Sequence, residues 1–142
     1  MGDEVKVMAA TVLDAGVLIA FMDRSDIHHL AARSAIPAPA TQDAFVLPAS
    51  ASAEILVLPS RLGGEAVQRT DDLLDTLPAR VEPISRRIAA AAAGLKARCG
   101  RALKPDALVI ATAHAVVADR ILTTDQRWPD VGVVVHRVAE AT

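Results

Sequence analysis

Cysteine is almost missing from this sequence. Cys99 stands alone, so no disulfide can close within the chain, and a reducing cytoplasm suits it. One Cys and four scattered His cannot supply a usual zinc site either. Aromatic residues are nearly absent: Phe21, Phe45 and Trp128 are the full set, which argues against a base-stacking platform for single-stranded nucleic acid. No apolar run approaches the roughly 18 residues of a membrane span. Asp3 and Glu4 occupy the place where a secretory leader would carry positive charge, so the reading expects none and a cytoplasmic location. A net charge of −2 excludes a global basic field, so any contact with nucleic acid has to use locally concentrated charge.

What is there is aliphatic. Hydrophobic residues make up 52% of 142, much of it Ala, enough to build one core without staples. The expectation is a single domain over residues 1–142. Val5 to Leu13 reads as a strand apolar on both faces, ending at Asp14. His28 to Ile36 reads as a short helix, stopped by Pro37 and Pro39. Phe45 to Leu47 is a second strand. The helix after it starts near Ser50 or Ser52, either of which can cap it, and holds Glu54. Gly63-Gly64 breaks the chain. A helix over Glu65–Leu77 follows, with Val67, Leu73, Leu74 and Leu77 inward.

Arg80 to Ile84 predicts a third strand. Ser85 to Cys99 predicts a helix with five consecutive alanines, ended by Gly100. Pro105 suits the first turn of a helix running to about Ala118. Strands follow over Ile121–Thr124 and Val133–Val138. Strands alternating with helices predict an α/β domain: a parallel sheet of about five strands, covered on both faces. Sites in such sheets form at the carboxyl ends of strands.

Four acids stand apart from the rest because of their surroundings. Asp14 follows an apolar strand in VLDAGVLIA. Glu54 lies in ASAEILVL, Asp106 opens KPDALVIATA, and Asp125 ends ILTTDQRW. Each is a charge among residues that belong in a core, with few obvious cationic partners, and a buried carboxylate needs a partner. A divalent cation would serve, since magnesium and manganese favour oxygen ligands. Each acid also has a plainer role open to it. Asp14 can cap a helix, Glu54 can face solvent, Asp106 can complement a helix dipole, and Asp125 can sit in a turn with Thr124.

Together, in this order and on these elements, the four motifs resemble the PIN domain, and within it the VapC toxins of type II toxin–antitoxin modules. The resemblance runs from about Val7 to Val138. The LKPDALVIATA and ILTTDQRW segments are its most specific part. It implies a three-layer α/β/α fold and a magnesium- or manganese-dependent endoribonuclease. Asp14, Glu54, Asp106 and Asp125 would be the catalytic acids, with Asp14, Asp106 and Asp125 as metal ligands. It also implies a homodimer and a VapB-like antitoxin that occludes the acidic groove, with no membrane partner. One position departs from the pattern: Gly16 stands where the family commonly has Ser or Asn, removing one hydrogen bond around the metal ligands. Thr123 or Thr124 can supply a hydroxyl in its place.

Arg86, Arg87, Lys96, Arg98, Arg101 and Lys104 concentrate positive charge in one stretch. It reads as an RNA-backbone patch, with Arg98, Arg101 and Lys104 as candidate contacts, or as a solvated helix face. His28, His29, His114 and His136 show no ligand spacing. Cys99 has no His partner and reads as structural. Two other classes compete with a nuclease. One is a PIN-like RNA- or protein-binding subunit without catalysis, against which the retention of all four acids speaks. The other is a phosphoacceptor domain, which would need a Lys after a late strand; the chain has only Lys6, Lys96 and Lys104.

Overall fold

The computed structural model describes residues 10–36, 44–77, 79–100 and 107–138. The chain runs β1 (Ala10–Leu13), α1 (Ala15–Met22), α2 (His29–Ala35), β2 (Ala44–Pro48), α3 (Ala49–Leu62), α4 (Gly64–Thr76) and β3 (Ala79–Glu82). It continues through α5 (Arg86–Cys99), α6 (Ala107–Ala115), β4 (Arg120–Thr123) and β5 (Val134–Arg137). The five strands form one sheet in the order β3-β2-β1-β4-β5, every neighbour parallel. The expected parallel α/β sheet is therefore present, with helices on both faces.

Strand parity explains the two faces. Leu13, Phe45, Leu47 and Leu122 point to one side and pack against α1, α2 and α3 through Val17, Leu18, Phe21 and Ile55. Val12, Val46 and Ile121 point to the other and meet Ile110 and Val109 of α6, with Trp128. Successive strand residues alternate in this way because the pleat has a period of two. Both sets are apolar because parallel sheets are covered on both faces. Helix α5 forms the outer layer, resting Ile88 and Ala92 on Ala107 and Ala111 of α6. Each large aliphatic side chain sealed in these clusters is worth about 1.5–3 kcal/mol of transfer free energy.

The sheet order places the site. From β1 the chain moves outward to β2 and β3, then returns to the other side of β1 for β4 and β5. The reversal lies between β1 and β4, where open parallel sheets leave a crevice beyond their carboxyl ends. In register, Leu13 faces Leu122, so Asp14 and Thr123 follow side by side.

Several local expectations are corrected. Helix α3 begins at Ala49 directly after β2, with Pro48 as its cap and no side-chain capping bond, so Ser50 and Ser52 fall inside the helix instead of capping it. The Ser50 hydroxyl is buried without a hydrogen-bond partner. On α4 only Ala66 is fully buried; Leu73, expected inward, is exposed, while Leu74 and Leu77 reach the core. Helix α6 stops at Ala115 instead of Ala118. Val117 takes φ 52, and the Ala118 amide turns back to the Ala113 carbonyl at 2.9 Å, an ending that satisfies a terminal carbonyl. Ser85 does cap α5, its Oγ accepting from the Ile88 amide at 3.1 Å, and Gly100 ends it at φ 58.

Candidate active site

Asp14 occupies the turn from β1 into α1. Its extended backbone (φ −76, ψ 153) makes it the cap of α1, and its Oδ1 accepts from the Ala15 amide at 2.8 Å. The plain capping role is thus real, and it leaves Oδ2 available. That oxygen accepts a 2.8 Å hydrogen bond from the Thr123 hydroxyl at the end of β4. The Thr123 oxygen in turn accepts from the Asp125 amide at 3.1 Å. One hydroxyl therefore joins the loop carrying Asp125 to the carboxylate of Asp14. Thr123 is sealed from solvent, and Asp14 is only 9% exposed.

The acids sense one another. Burial raises the Asp14 pKa above the usual carboxylate value; the bonds from Thr123 and Ala15 pull it back, and the charge of Asp125 pushes it up further. Glu54, on the second turn of α3, is also raised, first by partial burial and then by the charge of Asp14. Asp14 therefore feels the charge of Asp125, and Glu54 that of Asp14.

Two expectations about these acids are corrected. Among the described acids, buried surroundings hold for Asp14 and not for the other two: Glu54 is exposed and Asp125 is partly exposed. Asp125 also has a cationic neighbour. Its Oδ1 accepts from the Arg127 amide at 2.9 Å and from Arg127 Nε at 3.2 Å, and these contacts lower its pKa. The D-x-R spacing in TTDQRW was the available signal, since an Asp carboxylate readily bonds the amide two residues on. The Arg127 side chain is 90% exposed, so the pair adds little to stability.

Asp106, Arg101 and Lys104 lie outside the described residues. Asp106 directly precedes α6, whose first residue, Ala107, is fully buried. Among the described residues, no three His, Cys, Asp or Glu side chains stand close enough to hold a metal ion together. Of the described donors, Asp14 and Glu54 are raised in pKa first by burial and then by a neighbouring carboxylate's charge. That chemistry fits a hard divalent cation, which takes oxygen ligands and relieves like-charge repulsion.

Gly16, in the first turn of α1, fits tightly against the end of β4. A Cβ built on it would stand 2.5 Å from Thr124 Oγ1, closer than real Cβ contacts come. The hydroxyl nearest Gly16 is thus that of Thr124, while Thr123 serves Asp14. Arg86, Arg87, Lys96 and Arg98 are exposed on α5. The histidines do structural work: His29 Nδ1 lies 2.7 Å from the Ala20 carbonyl, and His114 Nε2 lies 2.8 Å from that of Val131. Both His28 and His29 are partly buried. Cys99 is exposed, and among the described residues no helix is long and apolar enough to cross a membrane.

No curated protein matches the chain in sequence. Solved structures resemble it in fold. A chain of the VapBC2 complex from Rickettsia felis, bound to a promoter DNA fragment, aligns at TM-score 0.67 and 13% identity, covering 90% of this chain and 98% of that one. A toxin–antitoxin complex from Klebsiella pneumoniae aligns at 0.63 and 21% identity, over 87% and 99%. VapC20 of Mycobacterium tuberculosis, a toxin that cleaves the sarcin–ricin loop, aligns at 0.63 and 17% identity, over 78% and 86%. The PIN domain family model matches residues 11–134, and the chain belongs to the PIN domain family.

Proposed function

We propose that this protein is a metal-dependent endoribonuclease of the VapC kind, a toxin inhibited by a VapB-like antitoxin. The observation that carries the reading is the buried Asp14 carboxylate at the sheet's switch point, joined through Thr123 to the Asp125 loop and close enough to Glu54 to raise its pKa, in a PIN-family chain. Asp14, Asp106 and Asp125 are the proposed ligands of Mg2+ or Mn2+. When bound, the cation supplies positive charge for the phosphodiester and acidifies water. Thr123 holds the Asp14 carboxylate in one orientation, so less freedom is lost when a ligand arrives. Glu54, its pKa raised by partial burial and by the charge of Asp14, is the proposed proton-exchanging acid. Arg98, with Arg101 and Lys104, is proposed to bind the RNA backbone.

An antitoxin site is suggested by a groove of about 480 Å³ between α1, α3 and α4. Ile19, Met22, Leu58, Leu62 and Leu73 give it apolar walls, and Glu54 stands on its lining, with Arg69 and Asp23 also present. Exposed Leu58, Leu62 and Leu73 are the kind of surface that an amphipathic partner helix covers. The neighbours from Rickettsia and Klebsiella are toxin–antitoxin complexes, which favours a partner of that class. The proposed homodimer and a cytoplasmic location rest on the family likeness.

The test is cleavage of RNA by purified protein with Mg2+ or Mn2+, compared with Asp14→Asn and with chelator present. Cleavage that persists in a folded Asp14→Asn protein, or without divalent cation, would overturn the reading. Growth arrest on expression, relieved by a co-encoded small protein, tests the toxin part. Harmless expression of an active nuclease would leave a housekeeping enzyme instead.

A further inference from the structure

Thr124 lies beside the acidic site with its side-chain hydroxyl uncommitted among the described residues. Its neighbour Thr123 spends its hydroxyl on Asp14 and Asp125, and Arg127 pairs with Asp125. The Thr124 carbonyl accepts from Gln126 at 3.2 Å, but its hydroxyl makes no hydrogen bond among the described residues. The side chain is only partly buried, so it is open to a ligand. Its place is set from two sides. Behind it, β4 is pinned between β1 and β5. In front, Gly16 leaves a notch where a Cβ would come within 2.5 Å of Thr124 Oγ1. Gly16 sits two residues after Asp14, so the notch opens in the same helical turn that Asp14 caps.

We infer that Thr124 is a substrate-binding residue whose hydroxyl donates to a phosphate oxygen of the bound RNA strand, with Gly16 kept small to hold that hydroxyl in place. The inference rests on the nuclease reading and goes beyond it. The carboxylates of this corner repel phosphate, and a fixed neutral donor beside them offers an oxygen of the strand a bond. A hydroxyl can approach phosphate without competing for the carboxylates that a cation would need. The stiff χ1 of threonine limits how far the oxygen can swing, so occupying the Gly16 notch should redirect it.

The experiment compares wild type, Thr124→Val, Thr124→Ser, Gly16→Ala, Thr124→Ala and Gly16→Ala/Thr124→Ala. Two quantities are read on each protein: affinity for a short single-stranded RNA in non-cleaving Ca2+, and the rise in melting temperature with Mn2+. Thr124→Val should weaken RNA binding about tenfold, the scale of one hydrogen bond to a charged group, while the Mn2+ shift stays. Thr124→Ser should restore affinity. Gly16→Ala should weaken binding as Thr124→Val does, yet add little on top of Thr124→Ala, because both changes act through one hydroxyl. Unchanged RNA affinity in Thr124→Val overturns the inference, as does a loss of the Mn2+ shift that accounts for the lost affinity. Wild-type protein that binds neither RNA nor Mn2+ overturns the nuclease reading, and this inference with it.

Discussion

The Thr123 hydroxyl meets Asp14 Oδ2 at 2.8 Å across 109 positions of sequence, and both residues are buried. This bond fastens the last turn of β4 to the first turn of α1. Thr123→Val keeps the shape and removes the donor, leaving a buried carboxylate one bond short. The expected cost is about 1–3 kcal/mol at neutral pH, seen as a lower midpoint in urea unfolding. The cost should shrink in acid, where Asp14 takes up a proton and no longer depends on that donor. An equal loss at both pH values would show that packing, not the bond, is what the substitution removes.

Asp14→Asn should hold or raise stability without metal. The Asp14 pKa is raised by burial, so the folded state favours the protonated acid. Its contribution is fully present below the unfolded pKa and is lost as pH rises through the folded one. Asn, neutral throughout, escapes that loss. The gap in melting temperature between variant and wild type should therefore widen from pH 4 to 7, on the order of the usual carboxylate range. A variant that is less stable at neutral pH would point to a purely structural Asp14.

Divalent-cation affinity should climb with pH. A cation must displace a proton that Asp14 holds more tightly than an ordinary acid does. Calorimetric titration with Mn2+ at several pH values should show rising affinity through and above the ordinary carboxylate range, with proton release. Affinity that is flat with pH would exclude Asp14 from the metal site. Asp125, lowered by Arg127, should contribute no such dependence above that range.

Arg98 and Arg101 changed together to Ala should weaken RNA binding on many sequences alike. For single strands, losing two phosphate contacts flattens the log–log salt slope by about 1.4. Single-turnover cleavage at saturating protein should change little. An unaltered slope would make the basic stretch a solvated face.

Leu58→Arg should block antitoxin binding and spare cleavage. Leu58 is exposed on the wall of the α1–α3–α4 groove, one helical turn past Glu54, and is not among the proposed catalytic acids. Co-purification of the two proteins, alongside an RNA cleavage assay, separates these effects. Intact binding would place the partner on another surface.

The sheet and its helices were legible because the apolar runs ended at turn-forming residues, as at Leu13–Asp14 and Thr123–Asp125. Asp14 and Asp125 were legible for the same reason. Helix faces were harder. Leu73 looks like core by spacing, but α4 packs on α3 so that it rims a groove. Glu54 looks buried by its neighbours and is exposed for the same kind of reason. Which of two adjacent threonines serves Asp14 depends on strand parity, and parity depends on where β4 ends. The sequence reading therefore left Thr123 and Thr124 open.

The central position of β1 sets an order of events in the life of the chain. β1 is made first and must wait for β4, since Asp14 and Thr123 bond only after more than a hundred further residues have been added. Until then the sheet lacks its middle contact and the acids from the two halves stay apart. The β1–β4 edge that carries Asp14 and Thr123 is therefore a late product of folding, however early β1 leaves the ribosome.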